Sequence, residues 1–123
     1  MNIYLAAPWS HRHKARQVAQ QLRDAGHDLV SRWHDVWALT DTDDPLMLEQ
    51  EAAMDLQDVE DSDIVVVLNI EKSEGKAVEQ GYALGLGIPI LIVGLPRGNV
   101  FQWLPEMHVV ADLPNAFAYL ASF

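Results

Sequence analysis

The sequence contains no cysteine. That excludes a disulfide framework and any zinc site built on thiolates. Positive charge is scarce: 8 lysines and arginines stand against 18 aspartates and glutamates, a formal net charge of -10. Duplex nucleic acid and anionic membranes both need a basic face, so neither is expected as a partner. The acidity reads as a solubility feature. No apolar run approaches the ~20 residues of a membrane-spanning helix. The opening "MNIYLAAPWS" has no basic region before its short apolar run, so no secretory signal is expected and a cytoplasmic location fits. There is no Walker glycine loop with its Lys-Ser/Thr, no G-x-S-x-G elbow and no two-histidine zinc helix. No metal site is expected. His11 and His13 fall at a solvated helix start, and Asp41, Asp43 and Asp44 suit a solvated loop better than a cation.

What is present is globular: 123 residues, half of them apolar and 21% charged. That suits a single domain, 1–123, around one core. Strand and helix signals alternate. "NIYLAA" is a buried strand ended by Pro8. Ala15, Val18, Ala19 and Leu22 form a helical stripe, with Gly26 as its stop. "HDLVSRW" is a second strand. Asp44-Pro45 is a helix start, and that helix runs to about Asp61. "DIVVVLN" is a strand covered on both faces, "GKAVEQGYALGLG" a third helix and "IPILIVG" another buried strand. "HVVAD" and "LPNAFAYLASF" close the chain as strand and helix. This alternation predicts a three-layer, flavodoxin-like or Rossmann-like α/β fold. Its parallel five-stranded sheet has the expected order 2-1-3-4-5, with ligands at the carboxyl ends of the strands. The loops Ala7 to His11, Ile70 to Gly75 and Leu95 to Trp103 fall there.

Two carboxylates stand out. Glu79 lies about one turn into the third helix, where the helix N-terminus favours an ionised carboxylate. Such a group can be a nucleophile; the plain alternative is a solvated helical glutamate. Gly81, Gly85 and Gly87 nearby are costly in a helix, ~1 kcal/mol each, which suggests close backbone approach. Leu48, Ala52, Leu56 and Val59 form the stripe of the second helix. Asp55 points with them toward the sheet, where it needs a partner or a ligand, unless it tilts to the edge and caps a backbone group. Tyr4 lies within the first strand, and its hydroxyl needs a partner if buried. Trp9 follows that strand; stacking on a base and covering the core edge are both open to it.

Taken together, "IYLAAPWS", "MDLQDVEDSDIVVVL", "SEGKAVEQGYALGLGIPILIVG" and "GNVFQWLP" resemble the nucleoside 2-deoxyribosyltransferase family. That family includes the Rcl-type 2'-deoxynucleoside 5'-monophosphate N-glycosidases. The resemblance spans nearly the whole chain and is most specific around Glu79. It implies that Glu79 is the nucleophile at the anomeric carbon, Tyr4 orients it, and Asp55 faces the base and handles its proton. It implies substrate contacts from Ala6, Trp9, Ser73, Gly75 and Asn99. Asn99 matches an asparagine that reaches the sugar's 5' end across a subunit interface, so a homodimer or larger homo-oligomer with shared sites is implied. No cofactor is implied. The ligands would be a nucleoside or nucleoside monophosphate and a free nucleobase.

One position separates the branches. Six residues before the nucleophile the transferases carry an aspartate that meets the 5'-hydroxyl; the nucleotide-cleaving branch has a serine there. This chain has Ser73. A serine at a helix start suits a 5'-phosphate, yet Asn99 is transferase-like, so both substrate classes stand. A nucleotide-binding module without turnover is the alternative of another class.

Overall fold

In the computed structural model, described here for residues 1–35, 44–95 and 99–123, five strands form one parallel sheet in the order β2-β1-β3-β4-β5. They are β1 (Asn2–Ala6), β2 (Asp28–Leu29), β3 (Ile64–Leu68), β4 (Ile90–Val93) and β5 (Met107–Val110). The helices are α1 (Arg12–Asp24), α2 (Pro45–Glu60), α3 (Glu74–Leu86) and α4 (Leu113–Ala121), with short 3-10 turns at Trp9–His11, Trp33–Asp35 and Val100–Trp103. Asp41 and Asp43 lie outside the described residues.

The central strands are apolar throughout because both their faces are covered. All five residues of β3 and all four of β4 are buried. Each such Val, Leu or Ile contributes roughly 1.5–3 kcal/mol on burial. β1 and β3 run in register, with Tyr4 opposite Val65 and Ala6 opposite Val67. Helices cover both faces. The stripe Ala15, Val18, Ala19 and Leu22 of α1 is buried, and α2 and α3 pack side by side. Among the described residues, no helix is long and apolar enough to cross a membrane.

Three expectations need correction. The second strand is shorter than "HDLVSRW": only Asp28 and Leu29 pair with β1. Side chains take over from the ladder. The Leu5 amide donates to Ser31 Oγ at 3.0 Å, and Trp33 Nε1 donates to the Leu5 carbonyl at 2.7 Å. With Leu5 satisfied, the chain turns away at once.

The second correction concerns α2. Asp44 caps it as expected, accepting from the Leu46 amide at 3.0 Å, with Pro45 in the first turn. Of its expected stripe, however, only Val59 is fully buried; Ala52 is exposed and Leu48 is 44% exposed. The anchor is instead Val59 with Asp58, which is 3% exposed and gripped by Arg32 through Nη2 at 2.7 Å and Nε at 3.1 Å. The first half of α2 therefore stands off the sheet and leaves a crevice.

The third concerns the glycines of α3. A Cβ at Gly81 or Gly85 would meet nothing within 4 Å, so no described group approaches them closely. Gly87 ends the helix in the left-handed region, at φ +73°.

Candidate active site

The crevice opens at the carboxyl end of β1, where the chain passes to β2 on one side and β3 on the other. Its volume is about 320 Å³. One wall is α2, with Leu48, Glu51 and Asp55; the other is the start of α3, with Ser73, Gly75, Lys76 and Glu79. Ala7, Trp9 and Trp33 complete it. The two indoles lie 6.1 Å apart, tilted by 55°. Arg12 sits over the Trp9 ring at 4.6 Å and fixes that face.

Tyr4 rises from β1 beneath this crevice and is fully buried. Its hydroxyl is the electrostatic neighbour of Glu79 and Asp55. Burial first, and the two carboxyl groups next, push its pKa well above the ordinary phenol range. The interaction with Glu79 is felt by both groups, yet Tyr4 Oη and Glu79 Oε2 make no hydrogen bond of regular geometry. Asp55 Oδ1 is likewise buried without a partner. Three buried polar atoms thus converge on one hollow unsatisfied, although native interiors pair nearly all such groups.

The ionisation of Glu79 departs from expectation. Desolvation raises its pKa to about 8, with the hydrogen-bonding influence of Tyr4 opposing and the charge of Asp55 adding to the rise. The helix N-terminus offers only ~0.3–1 kcal/mol, mostly within the first turn. Glu79 lies beyond that turn, and each pKa unit is worth ~1.4 kcal/mol, so burial wins. Asp55 is raised to about 7, by desolvation first, then by the charges of Glu51 and Asp58, with Arg32 opposing. Burial thus makes both carboxyls hold their protons more tightly than free ones do.

The start of α3 forms part of the crevice wall. Ser73 is the N-cap of α3, and its Oγ accepts from the Lys76 amide at 3.3 Å. A Cβ at Gly75 would lie 3.9 Å from Glu79 Oε1 and 4.0 Å from Ser73 Oγ, so glycine keeps open the space between the two side chains. The rim is clasped by Glu71, which takes a hydrogen bond from Ser10 Oγ and lies 3.6 Å from His11 Nε2.

Of the sequence candidates, Trp9, Asp55, Ser73, Gly75 and Glu79 line the crevice, with Tyr4 beneath. Ala6 is fully buried in β1, and its neighbour Ala7 is the lining residue. Asn99 does not reach this crevice. Its Oδ1 caps the 3-10 turn by accepting from the Phe101 amide at 2.9 Å, and it lines a larger hollow of about 840 Å³ along α3. Trp33, Glu51 and Lys76 were not anticipated. Glu51 had a readable signal, since a residue four before Asp55 shares its helical face. Trp33 was read as the end of a strand. Lys76 is 4% exposed. Its Nζ donates to Asn69 Oδ1 at 3.0 Å and to the Glu71 carbonyl at 2.7 Å. Gln102 Nε2 extends the network to Asn69 Oδ1 at 3.1 Å and Gln80 Oε1 at 3.2 Å.

The arrangement can attack an electron-poor carbon with one carboxylate and supply a proton with another. Among solved structures, the chain is similar to a 2-deoxyribosyltransferase from the psychrotolerant bacterium Bacillus psychrosaccharolyticus. The identity is 25% and the TM-score 0.74, covering 97% of this chain and 92% of that one. It is also similar in fold to the CMP N-glycosidase BcmB of Clostridium botulinum, at 13% identity and TM-score 0.64 over 100% of both chains. Comparison with curated proteins found no match. The family model described as nucleoside 2-deoxyribosyltransferase matches residues 3–104. The chain belongs to the nucleoside 2-deoxyribosyltransferase family.

Proposed function

We propose that the protein cleaves the N-glycosidic bond of 2'-deoxynucleosides and passes the deoxyribosyl group to an acceptor through a covalent intermediate on Glu79. One observation carries this reading: the unpartnered Glu79 carboxyl faces the same small crevice as Asp55, over the Tyr4 hydroxyl. In the first step a Glu79 oxygen bonds to the anomeric carbon as the carbon–nitrogen bond breaks. The bonding pair leaves with the base, which takes a proton from Asp55. In the second step an incoming base attacks the same carbon and loses its proton to Asp55, and the Glu79 carboxylate is released. Water as acceptor gives hydrolysis instead.

The roles require Glu79 ionised and Asp55 protonated at the moment of attack. A base seated against Asp55 excludes water there and holds the proton on it. The Tyr4 hydroxyl lowers the Glu79 pKa, and on turning to donate to it would favour the charged form of the nucleophile. Trp9 and Trp33 offer flat apolar surfaces to the base.

Asn99 belongs to the second part of the proposal, a homo-oligomer in which this loop serves a neighbour's sugar. Val100, Phe101 and Trp103 are 76, 59 and 71% exposed, and Val78 on α3 is 60% exposed. Val78, Val100 and Phe101 line one hollow, and exposed apolar groups of this size favour burial against a second copy. No cofactor has a role in the scheme, and the cytoplasm is its expected place.

A second reading, hydrolysis of 2'-deoxynucleoside 5'-monophosphates, is favoured by Ser73. Its hydroxyl stands with the free amides of a helix N-terminus, a setting that suits phosphate. Incubation with deoxynucleosides and with their 5'-monophosphates, each with and without an acceptor base, separates these readings. Exchanged nucleoside is expected from the first set. Free base from monophosphates alone would select the second reading. Binding with no product from either would leave a nucleotide-binding module.

A further inference from the structure

Glu51 has no role in the scheme above, yet it lines the crevice. It lies one helical turn before Asp55 on α2, so the two residues share one face of the helix. Trp9 and Trp33 line the same crevice, their indoles tilted by 55°. Among the described residues, no hydrogen bond or ion pair engages the Glu51 carboxyl, and Asp55 Oδ1 is buried without a partner. Asp55 feels the Glu51 charge more strongly than that of any other group.

We infer that Glu51 reads the far edge of the base and selects bases that carry an exocyclic amine across the ring from the glycosidic nitrogen. The inference rests on the proposed cleavage at Glu79, because that reaction puts the base between α2 and the indoles. An ionised carboxylate only accepts hydrogen bonds. A base amine in that position donates to it. A base with a carbonyl there presents acceptor to acceptor and leaves both groups desolvated and unpaired. Cytosine is thereby favoured over uracil, and adenine over hypoxanthine; each pair differs by amine against carbonyl at that position, with a proton on the adjacent ring nitrogen of the oxo base. Burial raises the pKa of Glu51 above the ordinary range, so the selection weakens as pH falls and the carboxyl gains a proton it can donate.

The test compares deoxycytidine with deoxyuridine, and deoxyadenosine with deoxyinosine, in the native protein and in Glu51→Gln. A glutamine amide both donates and accepts, so it serves either edge. The native protein should favour the amino member of each pair by roughly tenfold or more in kcat/KM. Glu51→Gln should bring the ratios near unity, chiefly by raising the oxo substrates, with an unchanged melting temperature. The same ratios should appear in nucleoside affinity measured by calorimetry on Glu79→Gln, with and without Glu51→Gln. Ratios that do not move in Glu51→Gln, or a native preference for the oxo bases, overturn the inference while leaving Glu79 chemistry intact. Absence of turnover with every nucleoside sinks the cleavage reading instead, and the calorimetric ratios then decide the role of Glu51 by themselves.

Discussion

Two clusters of buried polar groups lie along α3, and the fold treats them in opposite ways. In one, Lys76, Asn69, Gln80 and Gln102 are each under 5% exposed and bonded to one another. This cluster ties the loop after β3 to the 3-10 turn at Val100–Trp103. In the other, Tyr4, Asp55 and Glu79 present three buried atoms with no partner. A buried polar group left unpaired costs ~1–3 kcal/mol, so the second cluster is a standing burden on the fold. The contrast teaches where structure ends and chemistry begins on a single helix. Paired groups fix the loops, and the unpaired groups are the ones the proposed reaction uses.

Removing the nucleophile should separate the two clusters most sharply. Glu79→Ala is expected to lower turnover by at least about 10³-fold, the scale of losing a covalent nucleophile. Its melting temperature should hold or rise, because an unpaired buried carboxyl is removed. A large loss of stability in that variant would move Glu79 into the structural cluster. Asp55→Asn should follow, with turnover reduced roughly 10²–10⁴-fold. The loss should shrink for donors whose base departs without protonation; an equal loss for all donors would deny Asp55 its proton-transfer role.

Lys76→Met tests the other side. It leaves Asn69 Oδ1 and the Glu71 carbonyl without their ammonium donor, and should cost roughly 1–3 kcal/mol in denaturant unfolding. A neutral result would show that the network is ornamental to stability.

Acidity offers a subtler probe. Glu79 and Asp55 have folded-state pKa values of about 8 and about 7, raised from 4.5 and 3.8. The folded protein therefore holds protons that the unfolded chain gives up. Their contribution is fully present below the unfolded values and is lost as pH rises through the folded ones. The unfolding free energy of the ligand-free protein should fall between about pH 4 and pH 8, on the order of several kcal/mol in all. Glu79→Gln should flatten that slope. A slope identical to the native one would deny Glu79 its buried proton.

The smallest expected effect is at the 5' end. Ser73→Asp should weaken use of monophosphates by like-charge repulsion and spare or improve use of nucleosides. Equal effects on both would remove a phosphate role for Ser73.

Much of this was legible in the sequence. The β-branched runs gave β3 and β4, and Asp44-Pro45 gave the start of α2, because burial on two faces and helix capping each leave a local signature. The crevice candidates Glu79, Asp55 and Trp9 were legible as polar or aromatic groups in positions that demanded a reason. What escaped depends on tertiary geometry. Periodicity gives the face of α2 but not its tilt, so Ala52 and Leu48 were expected to be buried and Glu51 was overlooked. β2 was expected to be longer because Ser31 and Trp33 carry strand-like signals while bonding Leu5 through their side chains. The charge on Glu79 was misjudged because helix position is visible in sequence and desolvation is not.

The central claim is that Glu79 carries the sugar. The direct measurement is rapid acid quenching of the protein on a deoxyribosyl donor without acceptor, followed by peptide mass mapping. The account predicts a deoxyribosyl adduct on the peptide that contains Glu79, and its loss when an acceptor base is added before the quench. An adduct mapped to another residue would contradict the account. So would fast turnover with no adduct at any quench time.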